Sequence, residues 1–568
     1  MYDKARNAAT PILVKLRLKS AVESMVENMG HNTTAKTSGD SASDDSTSEN
    51  SASKNSASNS TVTRIVIIGG GSAGWLTAGV IAAHHGEQVH VTLIESANIK
   101  TIGVGEGTWP TMRDTLQKIG ITETDFMRSC DASFKQGSQF INWGSSQMPD
   151  NYYHPFSLPA GYIQGHSAHV PRSSDLSFAH MLCPQATWCD AKLAPKLGSD
   201  KEFTGQGNYG YHLDADKFAK LLKKHCTEQL HVAHIVDEVI GVIGQCTDNI
   251  EGVSTTTHAN VMGDLFIDCS GGAALLIDKH YKVPWLSQQQ VLKNDSAVAV
   301  QVPHKSSECD INSCTLSTAQ TEGWIWDIAL PTRRGIGYTF ASEFTSEHIA
   351  KAALLNYIKK QGLSKPDAEA IRTIKFNPGY RQTLWYKNCV AVGMSAGFLE
   401  PLEASALVMI ELSAAYITEN LPQNSIHMET VSARFNREFS HHWQSAVAFL
   451  KLHYVLSNRA DSEYWQIMRS QGIPQNLSEL LALWRYQVPK HQDLTHSNDI
   501  FSVASYQYIL YGMGFDTAIT QSVLPTHSEA LFKDIQLSVN RFAEHGKQTL
   551  PTNRALLLNI KNHGIPKI

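Results

Sequence analysis

Apolar residues first gather at Ile65-Val66-Ile67-Ile68, a continuous run that predicts a parallel strand buried on both faces. Glycines follow at 69, 71 and 74, and Leu76 to Ala83 then reads as a helix. A second apolar run, Val89 to Ile94, ends in Glu95. Residues 111–143 read as helices that end in Asp131 to Trp143, and Asp214 and Asp216 open a helix running to about Cys226. Strands return from Val232 to Val242 and at Leu265-Phe266-Ile267-Asp268, the late strand of a doubly wound domain. Asn294 to Pro303 alternates as a strand of a second, substrate sheet. Gly323 to Pro331 also alternates, which puts Trp324 and Trp326 on one face. Arg333 to Tyr338 reads as a hairpin turn into a further strand. Residues 408–568 are mainly helical in pattern. The expected architecture is α/β: a doubly wound dinucleotide-binding domain, a mixed substrate sheet and a mainly helical C-terminal module. Its expected divisions are a tail at 1–62, a discontinuous cofactor and chemistry module at 63–407, and a substrate-side module at 408–568.

The tail differs in kind. Val14, Leu16, Leu18, Val22, Met25 and Val26, interleaved with Lys15, Arg17 and Lys19, have the spacing of a short basic amphipathic helix. They lack the apolar core and cleavage site of a secretory signal. An incidental helix or an over-long gene start is the expected reading. Residues 33–60 hold mostly Ser, Asn, Thr, Ala and Asp, too little apolar surface to offset chain entropy, and are expected to be a disordered linker.

Composition narrows the function classes. At 568 residues the chain has room for two or three packed modules. A net charge of −5 with no basic block argues against nucleic acid as a partner. No apolar run approaches the ~18 residues that a membrane span needs. Nine cysteines without a CxxC pair argue for reduced thiols in a cytoplasm and against a metal site or disulfide framework.

Gly69, Gly71 and Gly74 fit G-x-G-x-x-G between strand and helix, and Glu95 follows at about the fingerprint distance of 20 residues. Gly69 allows the tight turn, Gly71 lets backbone approach a pyrophosphate, and Gly74 lets helix and strand pack closely. The helix start offers N–H groups and a positive dipole end to phosphates, and Glu95 is expected to accept from a ribose. A plain turn or helix cap does not explain Glu95.

Other stretches are open to two readings. Ile102-Gly103-Val104-Gly105-Glu106-Gly107-Thr108-Trp109-Pro110 is either a simple turn or a loop lying against a flat ligand. Lys135 sits among apolar and small residues; it is a solvated lysine or a dry one able to donate hydrogen bonds or act as a nucleophile. Tyr152-Tyr153-His154-Pro155-Phe156 is ordinary aromatic packing or the wall of a pocket. Trp324 and Trp326 are core residues or a screen. In Asn388 to Leu407 a strand enters a small-residue loop that opens a helix, and Glu403 is a first-turn charge or an acid in a site.

Together these segments resemble the flavin-dependent tryptophan halogenases, from about Arg64 to about residue 545. The resemblance rests on the glycine fingerprint followed by Trp75, Gly103-Val104-Gly105-Glu106, Phe134-Lys135 before Phe140-Ile141-Asn142-Trp143, and Asp268-Cys269-Ser270-Gly271. It rests most on Trp324-Ile325-Trp326 and Phe398-Leu399-Glu400-Pro401-Leu402-Glu403. The resemblance implies a flavin-monooxygenase-type FAD domain. FAD, reduced by a separate NAD(P)H-dependent flavin reductase, meets O2 and gives a C4a-hydroperoxide. The resemblance implies further that chloride or bromide attacks it, that the hypohalous acid travels through a tunnel to the lysine that matches Lys135, and that this lysine either hydrogen-bonds the oxidant or becomes a haloamine. Glu403 matches the partner glutamate. FAD contacts are implied at Gly69, Gly70, Gly71, Ala73, Gly74, Glu95, Gly107, Val239, Met394 and Leu407. Halide is implied at Ser405 and Ala406, a flavin screen at Trp324 and Trp326, and substrate contacts at His154, Phe156 and Phe501. No metal is implied; a homodimer is frequent in the family.

Departures shape the expected substrate. Ser405-Ala406 stands where the family usually has Thr-Gly, and the family's Ile-Pro after the tryptophan pair is Ile328-Ala329. The Tyr-Tyr pair and acidic anchor for an amino-acid head group are not evident before Tyr506-Gln507-Tyr508. A site without polar anchors discriminates against a zwitterion whose charges it must desolvate. The expected substrate is indole or an indole-like aromatic, with free tryptophan poor. A flavin monooxygenase and a non-catalytic flavin-binding protein are the competing readings.

Overall fold

The computed structural model describes residues 61–99, 105–144, 150–162, 176–494, 496, 498–518 and 528–567. The expectations for residues 1–60 and for Ile102, Gly103 and Val104 lie outside them. The described residues pack as one compact unit.

The apolar runs form the interior of a six-stranded sheet. Its order is Trp385–Tyr386, Cys389–Ala391, Leu265–Asp268, Arg64–Ile68, His90–Glu95, Ala233–Val236. All neighbours are parallel except the first pair. Arg64–Ile68 is central, and Ile65 to Ile68 are all buried, with the helix Ser72–His85 and the strand Val261–Met262 among the elements that contact this strand. The helix Ser72–His85 packs against Ser405–Glu419 and Ala215–Glu228. The last of these is capped by Asp214, whose side chain accepts from the Lys217 N–H.

A second sheet has seven strands. Its order is Arg372–Lys375, Ser296–Pro303, Arg333–Phe340, Gly323–Ala329, Thr315–Gln320, Gly137–Ile141, Asn151–Pro155. It is antiparallel except where Thr315–Gln320 runs beside Gly137–Ile141. A third, small sheet joins Glu106–Gly107, Gly210–Leu213 and Ser133–Lys135. Behind these lie long helices, among them Ser425–Val455 and Val503–Gly512, the latter packed on Asn151–Pro155.

Two local expectations are corrected. Helices end at Ser129, and Ser133–Lys135 and Gly137–Ile141 are strands. Gln136 separates the two strands, and Gly137, at φ +153°, opens the second with no room for a side chain against the His154 carbonyl, so the chain passes from one sheet to the other there. Arg333 to Tyr338 is strand, not turn; the turn is one step earlier, where the Leu330 N–H donates to the Arg333 carbonyl.

Candidate active site

A cavity of about 870 Å³ runs from the fingerprint loop to the start of the helix Ser405–Glu419. Gly69, Gly70, Gly71, Ala73, Glu95, Val239 and Met394 line one end; Gly107, Lys135, Trp326, Glu403, Ser405, Ala406 and Leu407 line the other. The glycines divide by role. At Gly71, Gly271 and Gly272 nothing stands where a side chain would begin, which leaves an open cradle at the strand ends. Gly69, at φ +116°, presses on the Cys269 carbonyl, and Gly74 presses on the Gly69 carbonyl. Gly74 therefore lies outside the cavity and sets helix packing. Glu95 Oε1 accepts from Lys223 Nζ at 2.6 Å and pairs with His234 Nε2 at 2.9 Å, while its other oxygen crowds Gly70 at the cradle. The volume of the cavity, the open glycine backbone and the acid at the second strand fit a dinucleotide such as FAD.

At the far end Lys135 is buried on its short strand. Its Nζ and the Ala404 methyl flank Gly107 so closely that a side chain there would meet them at 3.1 and 3.3 Å. Burial lowers the amine to about 8, with the nearby Glu403 charge opposing the fall. Its Nζ also lies 5.2 Å from the centroid of the Phe156 ring.

Glu403 and Ala404 are both left-handed, at φ +63° and +54°. Two such non-glycine residues in succession cost about 1–2 kcal/mol each. The turn lifts Glu403 out of the helix that begins at Ser405 and turns its side chain to the cavity. Trp109 holds this turn through its indole N–H, which donates to the Glu403 carbonyl at 2.8 Å. His154 Nδ1 meets Glu403 Oε1 at 2.8 Å, and His453 Nε2 lies 3.4 Å from the same oxygen. Burial opposes ionisation here, but the two imidazoles outweigh it and hold Glu403 well below the usual carboxylate range. Ser405, Ala406 and Leu407 follow at the helix start, where backbone N–H groups lack helical partners and favour an anion.

Some expected residues lie elsewhere. Trp326 lines the cavity, its ring covering Gly337 on the next strand. Trp324 is on the same face but stands behind it, 6.3 Å centroid to centroid, buried with its N–H 3.4 Å from Glu400 Oε2. His154, Phe156 and Phe501 do not line this cavity. They belong to an aromatic cluster beyond Lys135 and Glu403, which those two residues touch from the cavity side. Phe501 stacks on Phe449 at 3.7 Å and edges Trp109 at 4.9 Å. Sequence reasoning missed His453 and Phe449, which sit in a 31-residue helix with no local signal of chemistry. Among the described residues no group of three His, Cys, Asp or Glu side chains could hold a metal ion, and no helix is long and apolar enough to cross a membrane. All nine cysteines are free.

The fold and this cavity define a flavin-binding enzyme of the halogenase class. Residues 64–528 match the family Tryptophan halogenase. The tryptophan halogenase of Shewanella frigidimarina superposes with a TM-score of 0.86 at 45% identity, covering 90% of this chain and 99% of that one. Tar14, a tryptophan C-6 flavin-dependent halogenase from taromycin biosynthesis, gives 0.80 at 32% identity, covering 88% and 100%. The 7-chloro-L-tryptophan 6-halogenase KtzR of Kutzneria sp. strain 744 is 32% identical over 521 residues, 88% of this chain and 99% of its own. The chain belongs to the tryptophan halogenase family and is a flavin-dependent halogenase.

Proposed function

We propose that this enzyme makes hypohalous acid from chloride or bromide with reduced FAD and O2, and halogenates indole or an indole-like aromatic in preference to free tryptophan. A separate NAD(P)H-dependent flavin reductase supplies the FADH2, in a reducing compartment consistent with nine free thiols. When bound, the reduced flavin with O2 provides the oxidising equivalent for halide.

The chain's own residues do the rest. Gly69 to Ala73, Glu95, Val239, Met394 and Leu407 would hold the cofactor, and N–H groups at Ser405 and Ala406 would hold halide. Trp326 keeps the aromatic substrate away from the flavin end. Lys135, mostly ammonium at pH 7 with its amine near 8, donates to the oxygen of the oxidant. As the carbon–halogen bond forms the halogen–oxygen bond breaks, and the departing hydroxide leaves as water with a proton from Lys135. Glu403 takes the ring proton and returns it to Lys135, so one aromatic C–H and one hypohalous acid give one carbon–halogen bond and one water.

The observation that carries this reading is the meeting of Lys135 and the Glu403–Ala404 turn across Gly107, at the end of a dinucleotide cavity. A monooxygenase needs its substrate beside the flavin, and here a buried amine and an acid stand between cavity and aromatic cluster. The substrate preference is supported by the fate of the polar groups near Phe501. The Tyr508 hydroxyl donates to the Ser157 carbonyl at 2.9 Å, and the Gln507 amide to the Pro489 carbonyl at 3.2 Å. Both side chains are thus turned to backbone carbonyls. The relatives named above act on tryptophan or chlorotryptophan, so the departure is testable. Purified enzyme with FAD, reductase, NADH, O2 and halide is offered indole and tryptophan together, with Lys135→Ala beside it. Halogenated indole that vanishes in the variant is expected. Efficient conversion of tryptophan with indole untouched would overturn the substrate reading.

A further inference from the structure

His453 Nε2 is buried, aimed at Glu403 Oε1 from 3.4 Å, and makes no hydrogen bond of good geometry. The other nitrogen, Nδ1, meets the Tyr152 hydroxyl at 2.8 Å. Aromatic rings clamp the imidazole: Phe140 at 4.6 Å, Phe449 at 5.6 Å and Trp143 at 5.8 Å. Tyr152 is itself buried, and burial together with the Glu403 charge keeps its phenol protonated. A buried hydroxyl proton needs an acceptor. Among the described residues, His453 Nδ1 is the one hydrogen-bond partner of that hydroxyl. If Nδ1 accepts, the ring proton of the neutral imidazole resides on Nε2, and that N–H faces Glu403.

We propose that Tyr152 and His453 are positioning residues for Glu403: the Tyr152 hydroxyl locks His453 as the Nε2–H tautomer, and His453 with His154 fixes Oε1 so that Oε2 alone takes the proton of the aromatic ring. The proposal deepens the halogenase reading and rests on it for its kinetic consequence. The present 3.4 Å separation is of the kind that tightens when substrate arrives. Both donors converge on one carboxylate oxygen, and the other has no protein partner among the described residues. The strained backbone of Glu403 aims the side chain; the two imidazoles set its rotation.

Three variants and three readouts test it. His453→Phe lowers kcat for indole by about 10- to 100-fold with KM little changed, as when the partner that orients an acting group is lost. His453→Gln, whose amide N–H reaches the Nε2 position, restores most of that loss. In His453→Phe and Tyr152→Phe a primary isotope effect appears with ring-deuterated indole, because deprotonation becomes slow. Independently of turnover, NMR of the folded enzyme with ring-15N histidine reads His453 as Nε2–H, and Tyr152→Phe releases it to a tautomer mixture. Equal loss in His453→Gln and His453→Phe, wild-type kcat in His453→Phe, or an Nδ1–H signal in the wild type would overturn the proposal. A wild type that halogenates no aromatic while showing the Nε2–H signal would overturn the halogenase reading and leave the lock standing.

Discussion

His154 Nδ1 meets Glu403 Oε1 at 2.8 Å, and the glutamate so held sits on a left-handed backbone at φ +63°. One residue thus combines backbone strain, burial and an imidazole partner. Strain of this kind persists only where the surroundings enforce it, and here Trp109 and the helix start at Ser405 do so. Glu403→Gln keeps the shape and removes the base. Turnover is expected to fall by about 100-fold or more, the usual contribution of a general base, with flavin binding intact by fluorescence titration. Unchanged turnover would remove Glu403 from the chemistry.

The same glutamate makes a prediction about pH. Its folded pKa lies below the ordinary 4.5, so its contribution to stability is complete above that value and is lost as pH falls through the folded pKa. Glu403 therefore gives no acid limb in kcat above about pH 5. Lys135 acts at the other end. Its folded pKa, about 8, is below its ordinary 10.5. Burial of the charged amine costs stability below about pH 8, and the cost is relieved as pH rises from 8 to 10.5. As an ammonium donor, Lys135 predicts that kcat/KM declines through about pH 8. A profile that rises through that value would instead mark the free amine as the acting form.

Trp326 lies over Gly337 in the facing strand position, so closely that any side chain at 337 overlaps the indole. Gly337→Ala must push Trp326 toward the cavity or away from it. The expected cost is about 1–3 kcal/mol of stability. The larger effect is expected in coupling: less halogenated product and more hydrogen peroxide per NADH consumed. Equal coupling in variant and wild type would show that the position of Trp326 is immaterial.

A second buried ion pair lies away from the cavity and has a structural role. Lys196 Nζ donates to Glu123 Oε2 at 2.9 Å, and both side chains are almost inaccessible. Glu123 also accepts from the Tyr209 and Tyr211 hydroxyls at 2.7 and 2.8 Å and from the Phe203 N–H at 2.6 Å. Lys196→Met leaves a buried carboxylate without its cation, and a loss of about 3–5 kcal/mol is expected. The measurement is the midpoint of thermal and denaturant unfolding. Turnover per folded molecule should be retained.

Much of this was legible in the chain. Ile65 to Ile68, the glycines at 69, 71 and 74, and Glu95 define a nucleotide cradle locally, because strand, turn and helix start are set by neighbours in sequence. The sequence reading went wrong where the signal is not local. Ser133 to Ile141 looks helical in its surroundings, yet pairs with strands from residues 151–155, 210–213 and 315–320. The roles proposed for Lys135 and Glu403 come from family resemblance, since a lone lysine and a first-turn glutamate each have an ordinary explanation.

What the sequence determined by itself was the cofactor class and the order of the segments, for these depend on residues a few positions apart. What tertiary structure alone decided was the company each group keeps. His154 and His453 converge on Glu403 from 249 and 50 residues away in the chain, Trp324 falls behind Trp326, and Phe501 stacks on Phe449. The reason is physical. Burial and charge pairing set the protonation of Glu403 and Lys135, and both depend on groups brought together by sheet and helix packing rather than by sequence distance.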